Sequence, residues 1–387
     1  MSWLKRKLFK KKISIAVIGV GNAGCKIGEN LIRHLNECKI TVKSLAVNIV
    51  DDFEPKIHNF SDTFWFGDEK FVSSDSEFEK AYKQLKAKEK RIKDKLERVA
   101  FFKRGDRRDE DDLALHLIIG SGGGTGSAGT IITSRLLADI TGEPPTVIYV
   151  LPKKDAPSLV QFNAARALYY LGFDTVGPHC PILLFDNEKR LNVAEGETLE
   201  EVIERSNDLL AETLTTTILS ALQESTHEEF YADLNDFFKS FSKDARGLGI
   251  IVSLDREFET LEKAQNTRFS DLFFNELDES SSLTTDVTRA KLGYLAITMP
   301  TTYQSTFETR KIVKKFEKGD IKVSLNSIEE PILTIRGVLT GIHPDYVERF
   351  WEVLEKGKDT RDELLEAETI IPEAEVETII EPETETE

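Results

Sequence analysis

The chain has 387 residues, which is enough for two domains with cores of their own, and its 40% hydrophobic content is that of a globular protein. Its net charge of −17 argues against general nucleic-acid binding, because a phosphate backbone repels such a surface. Cys25, Cys38 and Cys180 form neither a CxxC pair nor an even set, so we expect no disulfide framework and no zinc site. We find no transmembrane run and no signal peptide, so the sequence predicts a cytoplasmic protein.

The two ends of the chain carry opposite charge. Residues 1–12, "MSWLKRKLFKKK", form a basic arm in which apolar residues lie among cations. Such a pattern favours contact with an anionic membrane surface, and a solubilising arm is the alternative. The other end is almost wholly acidic and contains the near-repeats "ETIIPE" and "ETIIEPE", which favours a disordered tail that docks a protein partner.

The first predicted strand covers residues 13–20, and a glycine turn and a helical pattern follow it. Gly19, Gly21 and Gly24 satisfy GxGxxG in this context, so an NAD-dependent oxidoreductase is one hypothesis. A dinucleotide domain favours an acidic residue at the end of the second strand, a position that falls near Asn48 in this chain, with Asp51 and Asp52 following.

Four further strand patterns, over residues 41–50, 112–122, 146–152 and 181–186, alternate with helical segments. This alternation predicts an α/β fold with a doubly wound parallel sheet, which binds ligands at the carboxyl ends of its strands. The charged segment from Ser76 to Arg98 predicts one long helix that begins with a capping box of Ser76 and Glu79.

A second glycine loop, "GSGGGTGSAGT" at residues 120–130, joins a buried strand to a helix. Glycines let the backbone approach a ligand closely, and a helix N-terminus attracts an anion, so the loop predicts a phosphate cradle. A tight turn without a ligand is the alternative. One phosphate loop serves a classical dinucleotide domain, whereas this chain has two.

Residues 198–225 predict a long amphipathic helix that connects the two halves of the chain. Strand patterns over residues 247–254, 289–300, 321–327 and 331–342 then predict a second domain with a mixed sheet. A helix over residues 346–357 leads into the acidic tail.

The hexapeptide "GGGTGS" resembles the GGGTG(S/T) signature of the tubulin/FtsZ superfamily of GTPases, and "GNAGCKIGENL" is similar to the first phosphate loop of that family. The resemblance implies GTP as substrate, with Mg²⁺ carried by its phosphates and no protein ligand of the metal identified. It also implies that the phosphates contact Gly21, Asn22, Ala23, Gly24, Cys25, Gly122, Gly123, Gly124, Thr125, Gly126 and Ser127.

Three asparagines occupy further positions of the family pattern. Asn48 stands in the second loop of the nucleotide site, and Asn187 in "PILLFDNEKRL" and Asn207 in "SNDLL" stand where the family contacts guanine and ribose. The alternative is that Asn187 is a turn residue and Asn207 an exposed helix residue.

The segment "FYADLNDFF" is similar to the synergy loop of the tubulin/FtsZ superfamily, which enters the nucleotide site of the next subunit. This similarity implies Asp236 and Asp233 as the catalytic acids. Two departures predict slow or altered hydrolysis. Tyr231 replaces the usual asparagine, and the third loop has one glycine, so amides of Ser73, Ser74 or Ser76 would have to sense the γ-phosphate.

The resemblance therefore implies a divergent archaeal or bacterial member, CetZ-like or FtsZ-like, that assembles head to tail in cell shape or division and hydrolyses GTP between subunits. A nucleotide-binding polymer scaffold with little turnover is the alternative. The predicted units are a basic arm (1–12), a GTP-binding domain (13–197), a central helix and synergy loop (198–244), a C-terminal mixed α+β domain (245–345), and a helix with a disordered acidic tail (346–387).

Overall fold

The structure is a computed structural model that describes residues 13–49, 57–67, 77–101, 113–190, 197–223, 230, 232–316 and 318–366. The basic arm, the acidic tail from residue 367 and Tyr231 lie outside the described residues. So do the third-loop serines Ser73, Ser74 and Ser76, and the predictions made for all of these stay predictions.

The N-terminal half alternates strands and helices as the sequence predicts. Its strands are β1 (Ile13–Val20), β2 (Thr41–Asn48), β3 (Asp62–Trp65), β4 (Leu113–Ser121), β5 (Thr146–Leu151) and β6 (Pro181–Asp186). Its helices are α1 (Gly21–Glu37), α2 (Phe78–Ala87), α3 (Glu89–Ala100), α4 (Gly124–Thr141), α5 (Ser158–Gly172) and α6 (Asn187–Arg190). The strands pair in parallel in the order β3-β2-β1-β4-β5-β6.

The C-terminal half continues the same sheet in mixed directions. After the long helix α7 (Leu199–Leu222) come α8 (Leu234–Lys239), β7 (Gly247–Glu257), α9 (Leu261–Asn266), α10 (Phe269–Ser280), β8 (Leu292–Pro300), α11 (Tyr303–Lys314), β9 (Asp320–Ile328), β10 (Ile332–Ile342) and α12 (Glu348–Glu366). Strand β7 pairs with β6 through three residues, and the order continues β7-β10-β8-β9. The predicted parallel sheet, connecting helix and mixed sheet are confirmed.

The core lies on both faces of this sheet, because successive side chains of a strand point to opposite faces. On β1, Ile15 and Val17 pack in the cluster that includes residues of α1, α7 and α8. Ile18 and Val20 pack in the cluster that includes residues of α2, α3, α4 and α5. Among the described residues, no helix is long and apolar enough to cross a membrane.

The prediction of one helix from Ser76 to Arg98 is wrong. The chain forms α2 and α3 with a break at Lys88, whose Nζ donates to the carbonyl of Phe66 just after β3. The N-cap of α2 is Glu77, without a side-chain cap, and Glu79 forms an ion pair with Arg166 on α5. Contacts with distant residues thus determine both the break at Lys88 and the ion pair that Glu79 forms in place of the predicted cap.

Candidate nucleotide site

The pairing of β1 with β4 brings the two glycine turns together. Gly19 is the register partner of Ile119, so α1 and α4 begin side by side at the carboxyl edge of the sheet. Gly21 has a φ of +68°, which glycine adopts without strain. A Cβ on Gly24 would lie 2.1 Å from the carbonyl oxygen of Ile119, so only glycine allows α1 to approach β4 this closely.

Neither of these helix starts is capped by a side chain among the described residues. The N-cap residues are Val20 for α1 and Gly123 for α4, and neither first turn contains an acidic residue. First-turn amides have no acceptor within their own helix, and the helix dipole adds partial positive charge there. Two such starts side by side present unpaired amides and positive dipole ends, which favour a nearby anion.

Side chains within the two turns differ in what they contact. A Cβ on Gly123 would have no described atom within 4 Å, so this residue borders open space. The Ser127 hydroxyl donates to the Ser121 carbonyl at 3.1 Å and lies 2.9 Å from the Tyr149 hydroxyl, beneath the turn. Cys25 is buried, and its thiol donates to the carbonyl of Gly19 at 3.4 Å. The side chains of Ser127 and Cys25 therefore support the two turns from inside the protein.

Burial raises the pKa of the Cys25 thiol to about 12, with a smaller contribution from the nearby charge of Glu29. The thiol is therefore neutral at physiological pH. A neutral, buried thiol contributes no charge to an anion site, so any contribution of Cys25 to phosphate binding comes from its backbone and its packing.

Asn48 links the end of β2 to the start of α1. It is 5% exposed, and its Nδ2 donates to Oδ1 of Asn22 at 2.7 Å. Its own Oδ1 accepts the amide hydrogen of Ile49 at 2.9 Å. Asn22 is the second residue of α1 and is exposed, so Asn48 orients an amide that projects from the first glycine turn.

The two asparagines predicted to contact the base occupy different environments. Asn187 is the first residue of α6, directly after β6, and is half-buried. Asn207 lies within α7 and is 8% exposed, so the prediction of an exposed helix residue as its alternative does not hold. Within the described part of the chain neither side chain forms a hydrogen bond. An amide that can donate and accept thus stays available on each.

A groove of about 930 Å³ runs between α1 and α7, and Asn207 is among its lining residues. Lys26 and Arg33 of α1 and Asp208 of α7 also line it. Arg33 Nη2 and His34 Nε2 lie 2.5 and 2.9 Å from Oδ1 of Asp208, which holds the two helices together. Among the described residues, its lining includes Asn207 but neither Asn187 nor the residues of the two glycine turns. Sequence reasoning missed the α1 residues of this groove, because surface charges on a helix carry no local signal of a facing helix.

The two predicted catalytic acids form a capping box at the start of α8. Oδ1 of Asp233 accepts from the amides of Asn235 and Asp236 at 2.8 and 3.1 Å. Oδ2 of Asp236 accepts from the amide of Asp233 at 3.2 Å, and its Oδ1 lies 3.8 Å from Nζ of Lys239. Both carboxylates therefore also stabilise the local fold. Among the described residues, no group of three or more His, Cys, Asp or Glu side chains could hold a metal ion.

Comparison with known proteins gives one relative by sequence and many by structure. No protein-family model matches the chain. The tubulin-like protein CetZ2 of Haloferax volcanii is 30% identical over 98 residues. This match spans 25% of the present chain and 26% of CetZ2, so it relates only about a quarter of each protein.

Solved structures match almost the whole chain. CetZ2 from Haloferax volcanii, in a GTPγS-bound protofilament, has a TM-score of 0.73 at 18% identity and covers 92% of this chain and 100% of that one. CetZ1 from the same organism, a GDP-bound monomer, has a TM-score of 0.70 at 16% identity, with 91% and 100% covered. FtsZ from M. jannaschii has a TM-score of 0.61 at 16% identity, with 88% and 91% covered.

The structure and these matches place the chain in one class, that of α/β proteins with a long helix between the parallel and the mixed half of one sheet. The fold is that of the tubulin/FtsZ superfamily, and the resemblance predicted from the glycine motifs is confirmed. Of the three structures compared above, the two CetZ proteins superpose better than FtsZ.

Proposed function

We propose that the chain binds GTP at the carboxyl edge of the parallel sheet and assembles head to tail into filaments. The observation that carries the proposal is the pair of glycine turns, in which two helices without side-chain caps begin side by side. The amides of both turns would bind the phosphates, Mg²⁺ would neutralise their charge, and Asn187 and Asn207 would contact the base.

The solved relatives support the choice of nucleotide and of assembly. One CetZ2 structure is a GTPγS-bound protofilament, and one CetZ1 structure is a GDP-bound monomer. A head-to-tail arrangement does not close on itself, so it gives a filament of any length. In such a filament the α8 turn of one subunit would approach the glycine turns of the next.

In this proposal GTP is hydrolysed between subunits. Water attacks the γ-phosphorus in line, the bond to the β-phosphate oxygen breaks, and GDP and inorganic phosphate leave. Positioning and electrostatics carry most of the catalysis in phosphoryl transfer. Asp236 would orient the attacking water, and Asp233 would assist it. A monomer would bind GTP but hydrolyse it poorly.

The second candidate function is a nucleotide-binding scaffold with little turnover. The observation that favours it is the capping box, because both acids are already bound to backbone amides of α8. Tyr231, in place of the usual asparagine, adds a departure from the family pattern. Phosphate release measured over a range of protein concentrations separates the two candidates: it rises per subunit for the GTPase and stays near zero for the scaffold.

The nucleotide is tested by thermal shift with GTP, GDP, ATP and NAD, followed by electron microscopy of the protein with GTP. We expect GTP and GDP to raise the melting temperature, NAD to leave it unchanged, and GTP to induce filaments. Stabilisation by NAD alone would support the oxidoreductase hypothesis instead. A chain that binds GTP without forming filaments at high concentration would contradict the assembly part of the proposal.

The cellular role in shape or division, the membrane contact of the basic arm and the partner contact of the acidic tail remain proposals from the sequence. Liposome co-sedimentation tests the arm. Deletion of residues 1–11 is expected to release the protein from anionic vesicles, and binding that does not change would contradict the membrane contact. The domain boundaries given above are proposed on the same basis.

A further inference from the structure

We propose that Arg349, in the C-terminal helix α12, is a positioning residue for Asn187, so that α12 takes part in recognition of the base. The inference rests on the proposed nucleotide function. It assigns to that function a residue that lies 162 positions from Asn187 in sequence and belongs to none of the family motifs.

Arg349 is 5% exposed and joins three segments of the fold. Its Nη2 donates to the carbonyl of Pro152 after β5 at 2.5 Å, and its Nη1 lies 2.9 Å from Oε2 of Glu352 on α12. Its Nε lies 3.4 Å from Oδ1 of Asp186, the residue directly before Asn187. A planar guanidinium can hold three acceptors at fixed angles, which lysine cannot do.

Asp186 transmits this contact to the start of α6. It is the last residue of β6 and is 6% exposed, and its Oδ1 also accepts the amide hydrogen of Glu188 at 3.1 Å. Burial raises the pKa of the Asp186 carboxyl, and the charge of Arg349 opposes that shift. Loss of Arg349 would leave a buried carboxylate without its cation, so the Asp186–Glu188 turn would have to rearrange.

Glu188 holds the other side of Asn187. Its Oε2 accepts the amide hydrogen of Lys154 at 2.8 Å, and Nζ of Lys154 lies 2.7 Å from Oε1 of Glu352. Glu352 in turn contacts Arg349, so the contacts close into a ring that begins and ends on α12. Asp186 therefore contacts α12 directly through Arg349, and Glu188 is linked to α12 through Lys154.

Asn187 lies between these two engaged carboxylates, and within the described residues its own amide forms no hydrogen bond. A residue whose neighbours are both fixed and whose side chain is unused is suited to present that side chain to a ligand. The ring therefore accounts for the position of Asn187, and Arg349 is its most buried member.

The test compares base discrimination in Arg349→Gln with that in a matched control. The control is Arg336→Gln, because Arg336 on β10 is 6% exposed and likewise contacts a carbonyl, that of Leu254, and a carboxylate, that of Asp255. GTP and ATP each compete with a fluorescent GDP analogue on the full chain, and thermal unfolding is recorded in parallel.

We expect Arg349→Gln to bind GTP about tenfold more weakly, in line with the loss of one polar base contact, and to bind ATP as the parent does. The GTP affinity of Arg349→Lys should lie between those of the parent and Arg349→Gln, because lysine keeps a charge beside Asp186 but loses the contacts with the Pro152 carbonyl and Glu352. Asn187→Ala should give the same loss, and the double variant should lose no more than either single one. Arg336→Gln should unfold at lower temperature and keep the parent's ratio of GTP to ATP affinity.

An unchanged ratio in folded Arg349→Gln, or losses that multiply with Asn187→Ala, would overturn the inference. If neither Arg349 variant folds, Glu188→Ala opens the ring at a half-buried position and must lower the ratio, and an unchanged ratio there overturns the inference as well. A parent protein that does not distinguish GTP from ATP would contradict the proposed function itself, so the two failures are distinguishable.

Discussion

The helix starts at the two glycine turns and at α8 differ in how they satisfy their first-turn amides, which have no acceptor within the helix. At α1 and α4 the first-turn amides have no side-chain cap, whereas at α8 both acids of the turn bind backbone amides of their own helix. The first region gains from an added anion. The second is complete without one, so in the proposed mechanism its carboxylates would act on the neighbouring subunit while they continue to cap α8.

This difference teaches that a loss of function at the glycine turns and a loss at α8 need different controls. At the glycine turns the question is whether the fold survives a change in a closely packed backbone. At α8 the question is whether a carboxylate acts as a cap, as a catalytic acid or as both.

The largest effect, on phosphate release, is expected from a change at Asp236. The same change tests which role the α8 acids have. Asp236→Asn keeps an oxygen that can accept from the amide of Asp233, so the cap survives, while phosphate release should fall by about 10²–10⁴-fold, as for loss of a catalytic acid or base. Asp236→Ala should keep GTP binding and assembly and be equally slow. The control is the exposed Asn235, whose change to alanine should leave turnover as it is. Turnover in Asp236→Asn equal to the parent's would reduce Asp236 to a cap.

The next effect separates two glycines of the paired turns. Gly24→Ala places a methyl group 2.1 Å from the carbonyl oxygen of Ile119, so it should lower the free energy of unfolding by about 1–3 kcal/mol and weaken GTP binding. Gly123→Ala has open space around its Cβ and should cost less than about 1 kcal/mol in stability, while its methyl group should obstruct the proposed phosphate site. Urea unfolding and GTP titration measure both. Equal stability losses, or normal GTP affinity in Gly123→Ala, would contradict this arrangement.

The base contacts are expected to give a smaller effect. Asn187→Ala and Asn207→Ala should each weaken GTP binding by about 1–3 kcal/mol, because a polar partner of guanine is lost, and neither should lower stability much, since neither side chain has a hydrogen bond to lose among the described residues. Asn326→Ala on β9, in the mixed half of the sheet, is the matched control. Calorimetric titration with GTP that gives the parent affinity for both variants would remove the base assignment.

The smallest effect compares two helix caps. Thr198 and Asp233 each form a capping box, at α7 and α8 respectively. Alanine at either position should reduce stability by about 0.5–2 kcal/mol, because one helix loses its cap. Only Asp233→Ala should also slow phosphate release. If Thr198→Ala slows it as much, the effect of Asp233 comes from the stability of the fold and not from its carboxylate.

Much of the fold could be predicted from the sequence, because its strongest signals are local. Strands β1 and β6 end where predicted, since each apolar run stops at a glycine or polar turn. The helix α7 begins after Thr198, where the capping box fixes its first turn. The position of both glycine turns at the carboxyl edge followed from the parallel sheet, whereas the pairing of β1 with β4, which places the turns side by side, is seen only in the structure.

The remainder depends on contacts between distant residues. Strand β3 was missed because its four residues are largely half-buried and show no apolar run. The break at Lys88 depends on the carbonyl of Phe66, and the ring around Asn187 depends on Arg349, far along the chain. The capping role of Asp233 and Asp236 was also missed, although the three-residue spacing of the two acids is the signal that could have indicated it.

The most direct test of the shared site mixes two variants that are each deficient. Asp236→Asn keeps intact glycine turns, and Gly123→Ala keeps intact acids. If phosphates and acids meet between subunits, a mixed filament contains junctions in which the turns of the first variant face the acids of the second. Phosphate release should then reappear on mixing, although each variant alone is slow. A mixture that remains as slow as its components, while electron microscopy shows that the two co-assemble, would contradict hydrolysis between subunits.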